Sequence, residues 1–117
     1  MSLFLIINVF SLSTVFFQTS LGLKDYYRDY FPIGVAVNPR MLEVGKEWSL
    51  ILTQFNSMTP ENVMKMGSIH PEENRYNWES TDKIASFAVK NGLKLRNHTL
   101  CWHNQTPTWF SQIHRGK

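Results

Sequence analysis

The sequence predicts an α/β chain built on a parallel sheet, and three observations predict it. "IGVAV", residues 33–37, is a short apolar run rich in β-branched residues and closed by Asn38-Pro39, the pattern of a buried strand. Two further short runs, "FNSM" and "LKLRNHTLC", follow it, and a helix-period stretch precedes each of them. Strand, helix, strand, helix, strand at this spacing calls for right-handed crossovers, which join parallel strands. A parallel strand is expected to be buried on both faces.

The elements follow in order. Leu3 to Phe17 is nearly all apolar, and no charge appears before Lys24. The run is short and interrupted for a membrane span, which needs about 20 apolar residues, but it suits the core of a secretory leader. Ser20-Leu21-Gly22 offers a small-x-small cleavage site, although no Lys or Arg precedes the apolar run. A leader over residues 1–22 is expected, with export to a secreted or periplasmic location; an amphiphilic membrane anchor over residues 3–17 is the alternative. Leu23 to Tyr30 reads as a short aromatic-rich helix.

After the first strand, Trp48, Ile51, Leu52 and Phe55 stand at i, i+3, i+4 and i+7, one apolar stripe on a helix. "FNSM" is the second strand. Thr59-Pro60 then opens another turn of helix, with Thr as N-cap and Pro at the first position, and "HPEENRYNW" is a polar loop. The next helix runs from about Trp78, capped by Asn77 or Ser80, with Ile84, Phe87 and Ala88 inward and Asn91-Gly92 as its stop. Residues 93–101 are the third strand. Three parallel strands buried on both faces would leave a core edge uncovered, so poor folding of these residues alone is expected.

Composition narrows the function. With 43% hydrophobic and 18% charged residues in 117, there is apolar matter for a core and no signature of disorder, although a complete (β/α)8 barrel takes about 250 residues. The net charge of +3 is spread over isolated Lys and Arg residues with no run among them, so no nucleic-acid patch is read. Cys101 is the lone cysteine, without disulfide partner or zinc spacing, and a small core residue is its expected role.

In a parallel sheet, ligands gather at the carboxyl ends of the strands, and two clusters stand there. After the second strand come Glu61, Asn62 and Lys65. If a helical turn starts at Pro60, Glu61 and Lys65 share one face, a spacing that equally suits an ordinary surface salt bridge. The second cluster is "HTLCWHNQTPTW", residues 98–109: two histidines, two tryptophans and two side-chain amides, with no acid. Alternation along a strand puts Arg96, His98, Leu100 and, where the strand gives out, Trp102 on one face. An indole face stacks on sugar C–H groups while imidazole, amide and ammonium groups bond hydroxyls, the chemistry of a carbohydrate cleft. His98 and His103, five apart, make a poor metal pair. The sequons at Asn97 and Asn104 are short enough to arise by chance.

"FPIGVAV", "FNSMTPENVMKM" and "HPEENRYNWESTDKIASFAVKNGLKLRNHTLCWHNQTPTWF", in this order and spacing, resemble the opening third of the family 10 glycoside hydrolases, the endo-β-1,4-xylanases. The resemblance covers roughly residues 23 to 113. It implies the first three strands or so of a (β/α)8 barrel, a partial catalytic domain over residues 23–117 truncated at its C-terminal end, and hydrolysis of xylan with retention of configuration. It also implies that Glu61, Asn62 and Lys65 bind hydroxyls of sugars on the non-reducing side of the cleaved bond, and that His98, Trp102 and Gln105 floor and wall the site around the sugar attacked. Two positions depart from the commoner pattern, Asn97 for a glycine and Met66 for a tryptophan. Retaining hydrolysis needs two carboxyl groups about 5 to 5.5 Å apart, and the family places both as glutamates after its fourth and seventh strands. The nine acids here end at Asp82, so the resemblance implies a chain that is inactive alone, or a non-catalytic relative that binds xylan or xylo-oligosaccharide. It implies no cofactor, no metal and no stable membrane partner.

Overall fold

The computed structural model of the chain describes residues 20–43 and 45–113, so the apolar leader and the anchor alternative over residues 3–17 lie outside the described residues. Three strands form one parallel sheet in sequential order: β1 (Gly34–Val37), β2 (Ser57–Pro60) and β3 (Lys94–Leu95). Gly34 pairs Ser57, Val37 pairs Pro60, and Ser57 and Met58 pair Lys94 and Leu95. The α/β reading with a parallel sheet is what the chain adopts.

The helices form for the reasons the spacing gave, with three corrections. Helix α1 is only Leu23–Tyr26, and residues 27–30 continue it as turns. Its N-cap is Gly22, whose N–H donates to the Asp25 carboxylate at 2.9 Å, and this last residue of the expected leader is buried. Helix α2 (Lys46–Gln54) buries Ile51 and half-buries Trp48 and Leu52, the predicted stripe. The second correction concerns Thr59-Pro60, which does not start a helix. Pro60 is the last, fully buried residue of β2, since a strand end tolerates a missing N–H, and helix α3 starts later, at Met66–Ile69.

Helix α4 (Glu79–Lys90) buries Ile84 and Ala88. Trp78 stands at its N-cap without a side-chain cap, and the third correction is that neither Asn77 nor Ser80 takes that role: the Asn77 amide donates instead to the Ser68 carbonyl at 3.3 Å. At the other end, Gly92 at φ +65° supplies the left-handed residue of the stop, and the Asn91 amide donates to the Phe87 carbonyl at 2.8 Å. Helix α5 (Thr108–Ile113) closes the described chain.

Val37, Ile51, Met58, Met64, Ile84 and Ala88 form the core, with α2, α4 and the 3-10 turn Pro39–Leu42 on one face of the sheet. The other face is open, and the strands are not buried on both sides. Alternation sends Val35, Val37, Met58, Pro60 and Leu95 toward the helices, although Leu95 stays exposed there, while Gly34, Ala36 and Lys94 on the other face are exposed and Ser57 and Thr59 half-buried. "IGVAV" reads as continuously apolar only because glycine and alanine count as apolar; on the uncovered face they present almost no side chain. The premise for poor folding is thereby weakened, because the open face shows small and polar groups. β3 also pairs over two residues instead of nine: the Arg96 N–H reaches the Met58 carbonyl at 2.9 Å, and residues 96–99 form no strand. Cys101 is therefore exposed, not a core residue.

Among the described residues the core cluster is six side chains, a small core, so Ile84→Ala is expected to remove about 2–5 kcal/mol, enough to abolish the helical far-ultraviolet circular dichroism of the chain. A helical spectrum unchanged in this variant would place the core elsewhere.

Candidate functional site

The parallel sheet sends the ends of β1, β2 and β3 to one edge, and the predicted residues hang from it. Glu61 follows β2 directly, its N–H donating to the Val37 carbonyl at 2.9 Å. Residues 61–65 are turns rather than helix. That geometry removes the i, i+4 pairing of Glu61 with Lys65, and the salt-bridge reading goes with it: among the described residues the ion pair is Glu72–Arg75 at 2.8 Å.

Glu61 and Lys65 instead take separate partners. One Glu61 carboxylate oxygen accepts from the Asn38 amide at 3.4 Å, and the Asn38 oxygen accepts from the Arg40 N–H at 3.1 Å. The Lys65 ammonium donates to the Asn62 side-chain oxygen at 2.9 Å and lies 4.8 Å from the centre of the Trp102 ring, within the range of a cation–π contact. The same Asn62 oxygen accepts from the Gln105 amide at 3.3 Å across 43 residues of sequence. Asn62 is thus the hub that ties the turn after β2 to the segment after β3.

Thr106 shapes that second segment. Its hydroxyl donates to the Trp102 carbonyl at 2.6 Å and accepts from the Trp102 N–H at 3.2 Å, closing a loop in which the Gln105 N–H also reaches the Trp102 carbonyl at 3.2 Å. From the other side, the Gly67 N–H donates to the Gln105 carbonyl at 2.8 Å. The structure therefore brings Asn62, Lys65, Trp102 and Gln105 into contact and sets Glu61 beside Asn62 on the same edge. His98 is exposed and has no hydrogen bond to these residues among the described ones. Its predicted alignment with Trp102 on one strand face depended on a strand that stops at Leu95.

Sequence reasoning missed Asn38, Gly67 and Thr106. Asn38 carried a usable signal, since it directly follows β1 and the rule applied to β2 and β3 covers it equally. Thr106 closes its own loop through hydroxyl bonds to the Trp102 backbone four residues back, and Gly67 acts through a backbone contact with a distant segment, which carried no signal. A second group of rings lies nearby: His70 stacks on Tyr76 at 3.9 Å between centroids, Tyr76 on Trp78 at 5.5 Å, and the Trp109 indole donates to the His70 carbonyl at 3.1 Å. Among the described residues no group of His, Cys, Asp and Glu could hold a metal ion.

In chemical terms the cluster offers one ammonium, two amides and an indole face in mutual contact, with the Glu61 carboxylate on the same edge but bonded to Asn38. That inventory recognises hydroxyl groups by paired donors and acceptors.

Comparison with known proteins agrees in sequence and in structure. The family described as glycosyl hydrolase family 10 matches residues 22–117. Endo-1,4-beta-xylanase A of Caldicellulosiruptor saccharolyticus is 54% identical over 90 residues, 77% of this chain and 26% of the relative. A psychrophilic family 10 endo-beta-1,4-xylanase superposes with TM-score 0.77 at 47% identity over 84% of this chain and 30% of its own. A mutant enzyme solved in complex with xylotriose superposes with TM-score 0.74 at 49% identity, covering 77% of this chain and 27% of its own. The chain spans about a quarter of the length of such relatives.

Thr106→Val keeps the shape of the residue and removes both hydroxyl bonds to Trp102. It is expected to loosen the loop at a cost of about 1–3 kcal/mol, read as faster quenching of Trp102 fluorescence by acrylamide in a chain whose other three tryptophans are replaced by phenylalanine; unchanged quenching would show that Thr106 does not hold the loop.

Proposed function

The chain belongs to glycosyl hydrolase family 10, whose fold is a (β/α)8 barrel, and from that membership we propose that it is the N-terminal part of a retaining endo-1,4-β-xylanase and forms the wall that grips xylan on the non-reducing side of the cleaved bond. The observation that carries this reading is the hub at Asn62, where Lys65 and Gln105 converge on one oxygen and Lys65 also lies over Trp102. Oriented amides, an ammonium and an indole face are what a chain of pentoses requires: directional bonds to its hydroxyls and a flat surface for its C–H faces. Glu61, Asn62 and Lys65 would bind the sugars further from the bond, and His98, Trp102 and Gln105 the sugar under attack.

The chemistry itself needs more than this wall. Retention of configuration takes a nucleophile and a general acid/base, and Glu61 is the one carboxylate that the described residues place in this cluster. A single carboxyl group cannot serve both roles at once, so the catalytic pair is proposed to lie on later strands of a longer barrel. The same count favours a second reading, a non-catalytic relative that holds xylan or xylo-oligosaccharide with this wall. The apolar residues 3–17 support export through a leader, to a secreted or periplasmic site.

Purified chain is expected to release no reducing sugar from xylan, and turnover by it would overturn the assignment of the chemistry to later strands. Titration with xylotriose separates the two readings of the wall. Saturable binding that weakens about tenfold in Trp102→Ala, a factor that corresponds to 1.4 kcal/mol, and falls also in His98→Ala would favour the binding relative. Binding absent from this chain but present in one extended by the remaining strands would favour the enzyme.

A further inference from the structure

Gly67 lies on α3, outside every group that touches the proposed ligand, yet it has an unusual neighbour. Its N–H donates to the Gln105 carbonyl at 2.8 Å, and a Cβ built on it would stand 2.9 Å from that same oxygen and 3.6 Å from the carbonyl carbon. The first distance is about half an ångström inside ordinary van der Waals contact, and the atom it meets is backbone, which cannot swing away as a side-chain tip can. Glycine is not required there by its own conformation. Among the described residues only Gly92 has a positive φ, so position 67 accepts any residue as far as the chain direction is concerned. What only glycine allows is the close approach of the Trp102–Pro107 loop.

That approach bears on the site through one bond. Gln105 extends from the loop to the Asn62 oxygen at 3.3 Å, near the outer limit for such a contact, while Lys65 already holds the same oxygen at 2.9 Å. A loop withdrawn by a few tenths of an ångström would leave the Gln105 amide short of Asn62. The amide would then turn freely, and its oxygen, now aimed by the bond that its nitrogen makes, would lose its direction.

We infer that Gly67 is a positioning residue for the sugar site: its missing side chain sets the distance between the turn after β2 and the loop after β3, and so fixes the orientation in which Gln105 meets a sugar hydroxyl. The inference rests on the reading of Asn62 and Gln105 as sugar-binding residues. It assigns Gly67 no contact with sugar.

Gly67→Ala tests it, and the fold should survive the change because alanine at a helical φ stabilises a helix relative to glycine. In ligand-free chain labelled with nitrogen-15, the side-chain amide pair of Gln105 is expected to move in Gly67→Ala to the position it takes in Asn62→Ala, where the acceptor is gone; a pair left at its wild-type position would overturn the inference. Xylotriose affinity is then expected to fall roughly fivefold in Gly67→Ala, the worth of one neutral hydrogen bond, and to fall no further when Gly67→Ala is added to Gln105→Ala. Equal affinity in Gly67→Ala and wild type, or losses that simply add, would overturn it as well, because a purely structural glycine would show no such coupling. Absence of xylotriose binding both from the wild-type chain and from one extended by the remaining strands would refute the sugar site itself, while the ligand-free amide signal would still decide whether Gly67 positions Gln105.

Discussion

Parallel pairing of β2 with a neighbour on each side is the constraint from which the rest follows. Because all three strands run the same way, their ends fall on one edge, and residues 38, 61–65 and 98–105 are delivered there from separate parts of the chain. An antiparallel arrangement of the same segments would have sent one of these groups to the opposite edge. The sheet in turn depends on its single covered face, where Met58 on β2 and Val37 on β1 pack against Ile51 of α2 and Ile84 of α4.

What was legible in the sequence was whatever rests on short-range physics. The stripe of α2, the inward Ile84 and Ala88 of α4 and the Asn91-Gly92 stop are set by helical period and by the left-handed residue at a helix end, and each stands where the spacing put it. Thr59-Pro60 misled because the dipeptide is equally at home at a helix start and at a strand end, and only the pairing of Val37 with Pro60 decides between them. The third strand was overdrawn for a related reason. Alternating residues 93–101 suit a strand, yet a strand needs partners on the backbone, and past the Arg96 N–H bond to the Met58 carbonyl the pairing of this segment with β2 stops.

The site divides along the same line. Four of the six residues chosen from sequence meet in space because their segments leave the carboxyl ends of parallel strands, an order that the chain displays openly. Two of the connections that hold them are long-range and left no local trace, Asn62 with Gln105 and Gly67 with the Gln105 carbonyl, while Thr106 reaches only four residues back to Trp102. A glycine chosen for closeness looks the same in sequence as one chosen for flexibility, and only its φ and its neighbours separate Gly67 from Gly92.

The replacement of the expected Glu61–Lys65 ion pair by two separate partnerships has its own consequence. Two opposite charges in contact satisfy each other and offer a ligand little, since breaking the pair offsets what the ligand returns. Here the Lys65 ammonium rests on a neutral amide oxygen and an indole face, and the Glu61 carboxylate takes a single long bond from Asn38. Both charges are held in place while most of their hydrogen-bonding capacity is left over, because an ammonium has three donors and a carboxylate about four acceptor positions. On the proposed function, a neutral, hydroxyl-rich chain suits such a pair: each hydroxyl would accept from Lys65 or donate to Glu61 as a charge-assisted bond, stronger than its neutral counterpart, without bringing any charge that the site would have to neutralise.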